Sequence, residues 1–272
     1  MTTLHAELKR PSWLLLAMEP RALYELGAYY LTLPFLKAAP AGDGHPVMVL
    51  PGFMADDLST RPLRNFLKGK GYKTYGWAMG RNFGQGTDLE SGGLNYRLME
   101  RLRAISAING GKKVSLVGWS LGGIYAREMA REQPELVRQV ISLGSPFVDA
   151  GVATYAKPLY ELLRGESVHE LHPKLKERLK IPPPVPSTAV YSRTDGIAAW
   201  QSCLDQTTDE QTENIEVDSS HCGLGHNPLV VWVVADRLAQ PEGEWRPFDR
   251  SGLRRLFYRG GRDDRRRTTD DG

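Results

Sequence analysis

The feature that most constrains the fold is a Gly-x-Ser-x-Gly motif centred on Ser120, at which an apolar run passes directly into a helical pattern. The run before it, Val114–Val117, is typical of a buried strand, and Leu121–Arg131 has the apolar spacing of a helix. In a sharp strand-to-helix turn, side chains at Gly118 and Gly122 would collide with neighbouring backbone. The segment therefore predicts a strained turn that exposes the Ser120 hydroxyl as a candidate nucleophile.

Short β-branched runs alternate with helical patterns on both sides of this turn. Such alternation predicts an α/β fold with a mostly parallel sheet covered by helices on both faces. Catalytic groups in sheets of this kind lie beyond the carboxyl ends of the strands. The predicted strands are Val47–Leu50, Lys73–Ala78, Val114–Val117, Val140–Leu143, Thr188–Tyr191 and Ile215–Val217, and the predicted helices are Pro62–Lys70, Leu89–Asn109, Leu121–Arg131 and Pro228–Ala239.

The chain divides into three predicted parts. Residues 1–45 form an N-terminal helical segment, residues 46–240 form the α/β domain, and residues 241–272 form an Arg-rich tail that we expect to be disordered. Within the domain, residues 151–186 separate two strands and exceed the length of an ordinary connection. We interpret this stretch as a small helical cap over the site; the alternative is a structural insertion that does not move.

The charge distribution argues against a nucleic-acid partner. The 272 residues carry a net charge of +3, but the segment from Arg246 to Gly272 holds nine Arg and five Asp, so the rest of the chain carries −1. The part of the chain before Arg246 therefore lacks the excess positive charge that binding to nucleic-acid phosphates requires, and we expect no nucleic-acid partner.

The N-terminal region bears on localisation and partners. Lys9 and Arg10 precede an apolar stretch, as in a signal peptide, but Glu19 interrupts it early, and no run of 18 apolar residues exists. We therefore expect a cytoplasmic protein, with export as the alternative. Arg21–Leu36 is predicted to be an apolar helix that packs on the body, touches lipid as a peripheral membrane contact, or closes over a pocket.

The motif around Ser120 and the segment Val47–Phe53 resemble the α/β-hydrolase superfamily, in particular its bacterial lipases and esterases. The resemblance covers about residues 46–240 and leaves out both ends of the chain. Pro51 stands where the family more often has His, while the turn glycine that follows is kept. The resemblance implies a serine nucleophile and, later in the chain, an acid and then a histidine base.

The same resemblance implies an oxyanion hole made by the backbone N–H groups of Phe53 and Leu121. Such donors stabilise the negative charge that develops on a tetrahedral intermediate, and losing one costs about 3–4 kcal/mol.

Asp195 is the predicted acid, because it follows the strand Thr188–Tyr191 in a turn closed by Gly196, where similar lipases carry theirs. Asp149 is the second candidate and Asp205 the third. An ordinary surface aspartate in an Asp-Gly turn is the alternative for Asp195.

His221 is the predicted base, because it directly follows the last strand, and His226 at the start of the next helix is the alternative. His5 and His45 precede the sheet. His169 and His172 lie in the cap with a spacing that could suggest a metal site, but no further Cys/His cluster supports one. We expect neither a metal nor another cofactor.

Cys203 and Cys222 fall beside the Asp195 and His221 loops. A disulfide between them would join the two loops, and two separate thiols are the alternative.

The expected substrate is a small-molecule ester or lipid with an apolar acyl or aryl group. The predicted activity is that of a serine carboxylic-ester hydrolase, either esterase or lipase. An acyltransferase using the same acyl-enzyme is the first alternative, and a non-enzymatic binding protein is the second. The predicted lining of the substrate site consists of Met54, Phe83, Trp119, Phe147 and the cap residues Tyr155, Leu159, Tyr160 and Leu163.

Overall fold

The computed structural model describes residues 9–88, 93–148, 154–155, 177–206 and 210–259. Six strands form one sheet in which every neighbouring pair is parallel, which confirms the predicted sheet. Its strands are β1 (Pro46–Leu50), β2 (Lys73–Gly76), β5 (Val114–Trp119), β6 (Val137–Leu143), β7 (Ser187–Tyr191) and β8 (Thr212–Glu216), in the spatial order β2-β1-β5-β6-β7-β8. A separate antiparallel pair is formed by β3 (Thr87–Asp88) and β4 (Gly93–Leu94).

Helices surround this sheet. None within the described ranges is long and apolar enough to cross a membrane. They are α1 (Trp13–Ala17), α2 (Ala22–Leu36), α3 (Arg61–Gly69), α4 (Tyr96–Ile108), α5 (Leu121–Glu132) and α6 (Pro228–Leu238), with short 3-10 helices at Glu19–Arg21, Trp200–Cys203 and Gly252–Leu256.

The central strands β1 and β5 are buried on both faces of the sheet because they are largely apolar at successive positions. In β1, Val47 and Val49 pack against α2, α3 and α6. Met48 and Leu50 point to the other face, where they pack against α4 and α5. This alternation follows from the two-residue period of a strand and explains why β1 is apolar on both faces.

The chain reverses its direction of travel across the sheet between β1 and β5. From β1 it passes through α3 to β2 on one side, and it later returns to place β5 on the other side of β1. Loops that follow two such strands diverge and leave a crevice at their carboxyl ends. Ser120 follows β5 and Pro51 follows β1, so both border this crevice.

Several element boundaries differ from the predictions: β6 begins at Val137 instead of Val140, and β8 covers Thr212–Glu216 instead of Ile215–Val217. Two further differences have local reasons. The helix expected over Leu89–Asn109 begins at Tyr96, because Asn95 is extended and its side chain accepts the N–H of Arg97 as an N-cap. The strand expected over Lys73–Ala78 ends at Gly76, and Ala78 has a φ of 60° that no strand allows.

The prediction of a disordered tail is wrong for residues 241–259. Phe248 and Tyr258 are buried in the core with their rings 4.9 Å apart, and Arg259 pairs with Glu216 at the free edge of β8. The two aromatic side chains, together with hydrogen bonds such as that from the Phe248 N–H to Glu213, attach this polar segment to the open sheet edge. Residues 260–272 lie outside the described part of the chain, as does most of the predicted cap.

Candidate active site

Ser120 stands on a strained turn between β5 and α5. Its φ of 53° and ψ of −121° lie in a region that L-residues rarely adopt. The turn is held by a hydrogen bond from the Ser120 N–H to the Leu143 carbonyl at 2.8 Å. A Cβ on Gly118 would overlap the backbone of the following helix, and one on Gly122 would lie 2.5 Å from the Leu50 carbonyl. The glycine spacing of the motif is therefore required by steric contact.

The structure brings Ser120, His221 and Asp195 together from the ends of three strands. Nε2 of His221 lies 2.9 Å from Oγ of Ser120, and its Nδ1 lies 2.6 Å from Oδ2 of Asp195. Since an ionised carboxylate can only accept, Nδ1 carries the proton and Nε2 is free to accept from the serine hydroxyl. Oδ1 of Asp195 accepts the N–H groups of Ile197 and Ala198, both at 2.8 Å, which fixes the carboxylate.

Opposing effects act on the imidazole of His221. Burial disfavours the charged form and lowers the pKa, but the charge and hydrogen bond of Asp195 and the charge of Glu19 outweigh it, so the pKa of His221 is raised above its ordinary value. His221 is thus a stronger base than a free imidazole, which suits it to take a proton from a hydroxyl.

The loop after β1, which carries Phe53, contacts the serine turn through Gly52. A Cβ built on Gly52 would lie 3.2 Å from Cβ of Ser120, so the two turns are in contact. Leu121 is the first residue of α5, and a first-turn N–H has no acceptor within its own helix. Phe53 and Leu121 are the two predicted oxyanion donors, and they belong to these two adjoining turns.

Asn82 holds the Phe53 loop and was not recognised in the sequence. Its carbonyl accepts the N–H of Met54 at 2.6 Å, its N–H donates to Ala55, and its side-chain amide donates to Pro51 at 2.9 Å. Met54 has a φ of 62°, so this network stabilises an unfavourable backbone conformation. An isolated asparagine between glycines gives no sequence signal for such a role.

Glu19 and Glu25 were also not recognised. Both are buried beside the loops that carry Asp195 and His221, and they accept backbone N–H groups from them. The available signal was the presence of two carboxylates in an otherwise apolar stretch. The prediction used Glu19 only as a break in the apolar run and did not consider Glu25.

The alternative acids and base occupy other places. Asp205 is buried in an ion pair with Arg127, with 2.5 Å between the closest atoms. Asp149 lies outside the described residues, as do His5, His169 and His172. Nε2 of His226 lies 2.9 Å from the Ala22 carbonyl of α2, away from Ser120. His45 lies at the opposite ends of the strands from the active site, just before β1, between Asp43 and Ser115.

The predicted lining residues have different environments. Met54 and Phe83 are exposed, Tyr155 is half-buried, and Trp119 is half-buried with its Nε1 donating to the His221 carbonyl at 3.0 Å. The prediction that Phe147 lines the substrate site is wrong, because its ring is fully buried beneath the Arg127 guanidinium at 3.7 Å. The remaining predicted lining residues lie outside the described part of the chain: Leu159, Tyr160 and Leu163.

Cys203 and Cys222 are not joined in a disulfide. Cys203 is buried and Cys222 half-buried, and burial raises the pKa of both thiols, that of Cys222 to about 12. Within the described residues, no group of three or more His, Cys, Asp or Glu side chains could hold a metal ion.

The comparisons with known proteins establish the fold. The sequence matches no family model and no curated protein. Among solved structures, Aspergillus fumigatus lipase B is similar with a TM-score of 0.54 and 17% identity over 77% of this chain, which spans 57% of that lipase. The mature Bacillus licheniformis lipase BlEst2 has a TM-score of 0.52 and 17% identity over 75% of this chain and 95% of its own.

A third similar structure comes from the pair of metagenome-derived lipolytic enzymes LipS and LipT. It has a TM-score of 0.53 and 15% identity over 74% of this chain and 94% of its own. Sequence identity at this level carries the fold and no activity. The order of the strands and the likeness to these structures together give the chain the α/β-hydrolase fold.

Proposed function

We propose that this chain, which has the α/β-hydrolase fold, is a serine hydrolase of carboxylic esters. The observation that carries the proposal is the pair of hydrogen-bond distances at His221, 2.9 Å to Ser120 and 2.6 Å to Asp195, around a serine with a φ of 53°. A nucleophile, a base and an orienting acid are the three groups that acyl transfer through a serine requires.

In the proposed reaction, Oγ of Ser120 attacks the ester carbonyl while Nε2 of His221 takes the hydroxyl proton. The resulting imidazolium is stabilised by Asp195, and it returns the proton to the leaving alcohol as the acyl-enzyme forms. His221 then activates water, which hydrolyses the acyl-enzyme and frees Ser120. The raised pKa of His221 supports its role as acceptor.

The N–H groups of Phe53 and Leu121 are the proposed oxyanion donors. They border the serine from the loop after β1 and from the first turn of α5. Donors fixed before the reaction stabilise the developing charge without reorganisation, which is why such sites are effective.

An apolar acyl or aryl ester is the proposed substrate class. Exposed Met54, on the loop after β1, and exposed Phe83, next to Asn82, support this, together with the lipolytic enzymes that share the fold. The competing outcome is transfer of the acyl group to an alcohol instead of water, since the acyl-enzyme would be the same.

The test is hydrolysis of p-nitrophenyl esters of increasing chain length, with and without an added alcohol that reports transfer. We expect wild-type turnover and covalent labelling of Ser120 by a fluorophosphonate. His226→Ala is the matched control for His221→Ala, since both histidines lie on the same loop and only His221 contacts Ser120. Wild-type protein that neither turns over any ester nor takes up the label would contradict the proposal.

A further inference from the structure

Glu19 ties together the two loops that carry Asp195 and His221. One of its carboxylate oxygens accepts the N–H of Gly196 at 2.8 Å and the N–H of His221 itself at 2.9 Å. The other oxygen accepts the N–H of Cys222 at 2.9 Å. Glu19 is buried, so these hydrogen bonds replace the water that a carboxylate would otherwise need.

Glu25, six residues after Glu19 in the chain, reinforces the same loop. Its carboxylate accepts the N–H of Ser220 at 2.7 Å and the hydroxyl of Ser219 at 2.7 Å. Hydrogen bonds to an ionised acceptor are stronger than neutral ones and fix the donor's position more closely. The backbone from Ser219 to Cys222 is therefore held by two carboxylates of the N-terminal segment.

We propose that Glu19 is a positioning residue, which holds the Asp195 and His221 loops at the separation that the reaction requires. The inference rests on the proposed function, because it assigns Glu19 a role in the same reaction. It extends the functional unit beyond the sheet to a segment that precedes it in the chain.

The charge of Glu19 has a second, separable effect. The charged groups around His221 are Asp195 and Glu19, with Glu25 and its ion-pair partner Arg21 behind them. The Cys222 thiol is neutral, since burial and Glu19 raise its pKa to about 12. Glu19 therefore adds to Asp195 in favouring the protonated imidazole.

Glu19→Gln removes the charge while keeping the shape of the side chain. Its amide can still accept from Gly196 and His221, but its NH2 group would face the Cys222 N–H, donor against donor. We expect kcat for a short p-nitrophenyl ester to fall at least tenfold with KM changed less than twofold. The acid limb of the pH–rate profile should move to lower pH.

Glu19→Asp separates position from charge. It keeps the carboxylate but is one methylene too short to reach both loops. We expect kcat to fall as in Glu19→Gln, while the acid limb stays near its wild-type pH. Glu213→Gln is the matched control, because Glu213 is equally buried and accepts the backbone N–H of Phe248 at 2.9 Å. It is the second residue of β8 and lies at the opposite end of that strand from His221.

The outcomes separate this inference from the proposed function. An inactive wild type, or an active Ser120→Ala, would contradict the proposed function itself. Wild-type kcat and pH profile in folded Glu19→Gln or Glu19→Asp, beside a dead Ser120→Ala, would overturn the positioning role alone. If Glu19→Gln does not fold, the kcat of Glu19→Asp decides.

A different observation, the outer surface of the same segment, carries a second inference. We name this surface the N-terminal apolar face. The opposite side of α2 is already packed, since Tyr29 and Leu36 are buried in the core. A helix apolar on all sides is ordinarily buried on all sides. The exposed large side chains of this face are Trp13, Leu14, Leu16, Met18, Leu23, Tyr24, Tyr30, Leu31 and Phe35.

Charge is excluded from the N-terminal apolar face and placed at its ends. The three charged residues between Trp13 and Leu36 turn inward: Glu19 and Glu25 are buried, and Arg21 donates to the Thr194 carbonyl at 2.5 Å. Exposed cations stand before and after the face, with Lys9 and Arg10 at one end and Lys37 at the other. In a membrane surface, the aromatic and aliphatic side chains of this face would contact the acyl chains. The cations at its ends would contact the anionic headgroups above them.

We infer that the N-terminal apolar face binds an anionic lipid surface. The test is flotation of the whole chain with phosphatidylcholine vesicles, with and without phosphatidylglycerol. We expect the protein to bind the anionic vesicles, and this binding should weaken as the salt concentration rises. Binding to vesicles of pure phosphatidylcholine should be weaker. The double variant Leu31→Glu with Phe35→Glu should reduce the bound fraction at least tenfold.

Ile108→Glu is the matched control, because Ile108 is an isolated exposed aliphatic residue on α4. It should bind vesicles like the wild type, and all variants should hydrolyse a water-soluble short ester equally, which shows that they fold. Wild-type protein that does not float with either vesicle would overturn the inference. So would a dimer in solution that dissociates in the double variant, since a second copy would then occupy the face.

Discussion

Two Ser-His-Asp hydrogen-bond chains lie at opposite ends of the strands of the same sheet. We call the end where the strands begin the amino edge and the end where they finish the carboxyl edge. At the amino edge, Nδ1 of His45 is 2.5 Å from Oδ1 of Asp43, and its Nε2 is 2.8 Å from Oγ of Ser115. At the carboxyl edge, the corresponding distances around His221 are 2.6 and 2.9 Å. The same three residue types at closely similar distances therefore cannot by themselves define a reactive serine.

The two serines differ in backbone and access. Ser115 is the second residue of β5 and is fully buried within the sheet. Ser120 lies just beyond the other end of β5, half-buried, with a φ of 53° that turns its hydroxyl away from the sheet. A substrate carbonyl can approach only the second hydroxyl, at the positive end of α5.

The two histidines also differ in charge environment. Burial lowers the pKa of His45, and the Arg138 guanidinium 2.7 Å from Asp43 opposes the carboxylate's effect. Around His221, Asp195 and Glu19 outweigh burial and raise the pKa. Access, backbone strain and an excess of negative charge distinguish the proposed site from its structural counterpart.

The largest expected effect comes from breaking the chain at the carboxyl edge. Ser120→Ala and His221→Ala should each lower kcat about 10⁴-fold or more, and the double variant should be little worse, because triad members act as a unit. Steady-state hydrolysis of a short aryl ester measures this. Additive losses in the double variant would show that the two side chains do not act together.

The strained turn should be the next most sensitive element. Gly122→Ala would force a Cβ to within 2.5 Å of the Leu50 carbonyl, so the turn must open and displace Ser120. We expect a loss of about 1–3 kcal/mol in the free energy of unfolding and at least tenfold lower kcat. Urea titration and ester hydrolysis measure the two quantities.

Gly69→Ala is the control for this glycine, since an added Cβ at the end of α3 meets nothing within 4 Å. It should leave activity unchanged and alter stability by less than about 1 kcal/mol. If the two substitutions had equal effects, Gly122 in the serine turn would be no more constrained than Gly69 in α3.

How far the sequence predicts this molecule depends on the range of the contacts. The strand–Gly-x-Ser-x-Gly–helix segment is local, so its turn is readable from ten residues. Asp195 and His221 follow strand ends, so topology places them beside Ser120 without knowledge of side-chain contacts. Glu19 is 202 positions from His221, and no local pattern links them. Phe248 and Tyr258 dock a segment whose abundant charges predicted disorder.

The pH dependence of stability should have opposite signs at the two histidines. The pKa of His45 is lowered on folding, so the unfolded chain binds more protons below about 6.5 and stability rises with pH there. The pKa of His221 is raised, so the folded chain binds more protons above about 6.5 and stability falls with pH up to the folded pKa.

Urea unfolding of His45→Gln and His221→Gln between pH 5 and 9 tests these signs. Relative to wild type, His45→Gln should flatten the rise below about pH 6.5, and His221→Gln should flatten the fall above it. The same slope change in both variants would mean that the charge environments at the two edges of the sheet do not differ as described.

The smallest effect on activity is expected at Ser115. Its hydroxyl donates to Nε2 of His45, and Ser115→Ala would leave that buried nitrogen without this partner, at a cost of about 1–3 kcal/mol in the free energy of unfolding. Because Ser115 is fully buried and separated from Ser120 by the length of β5, kcat and KM should stay within about twofold of wild type. Thermal unfolding and ester hydrolysis on the same preparation separate the two effects. If Ser115→Ala were inactive while Ser120→Ala still turned over ester, the amino edge would carry the reaction, and the access and strain that distinguish Ser120 would have no catalytic meaning.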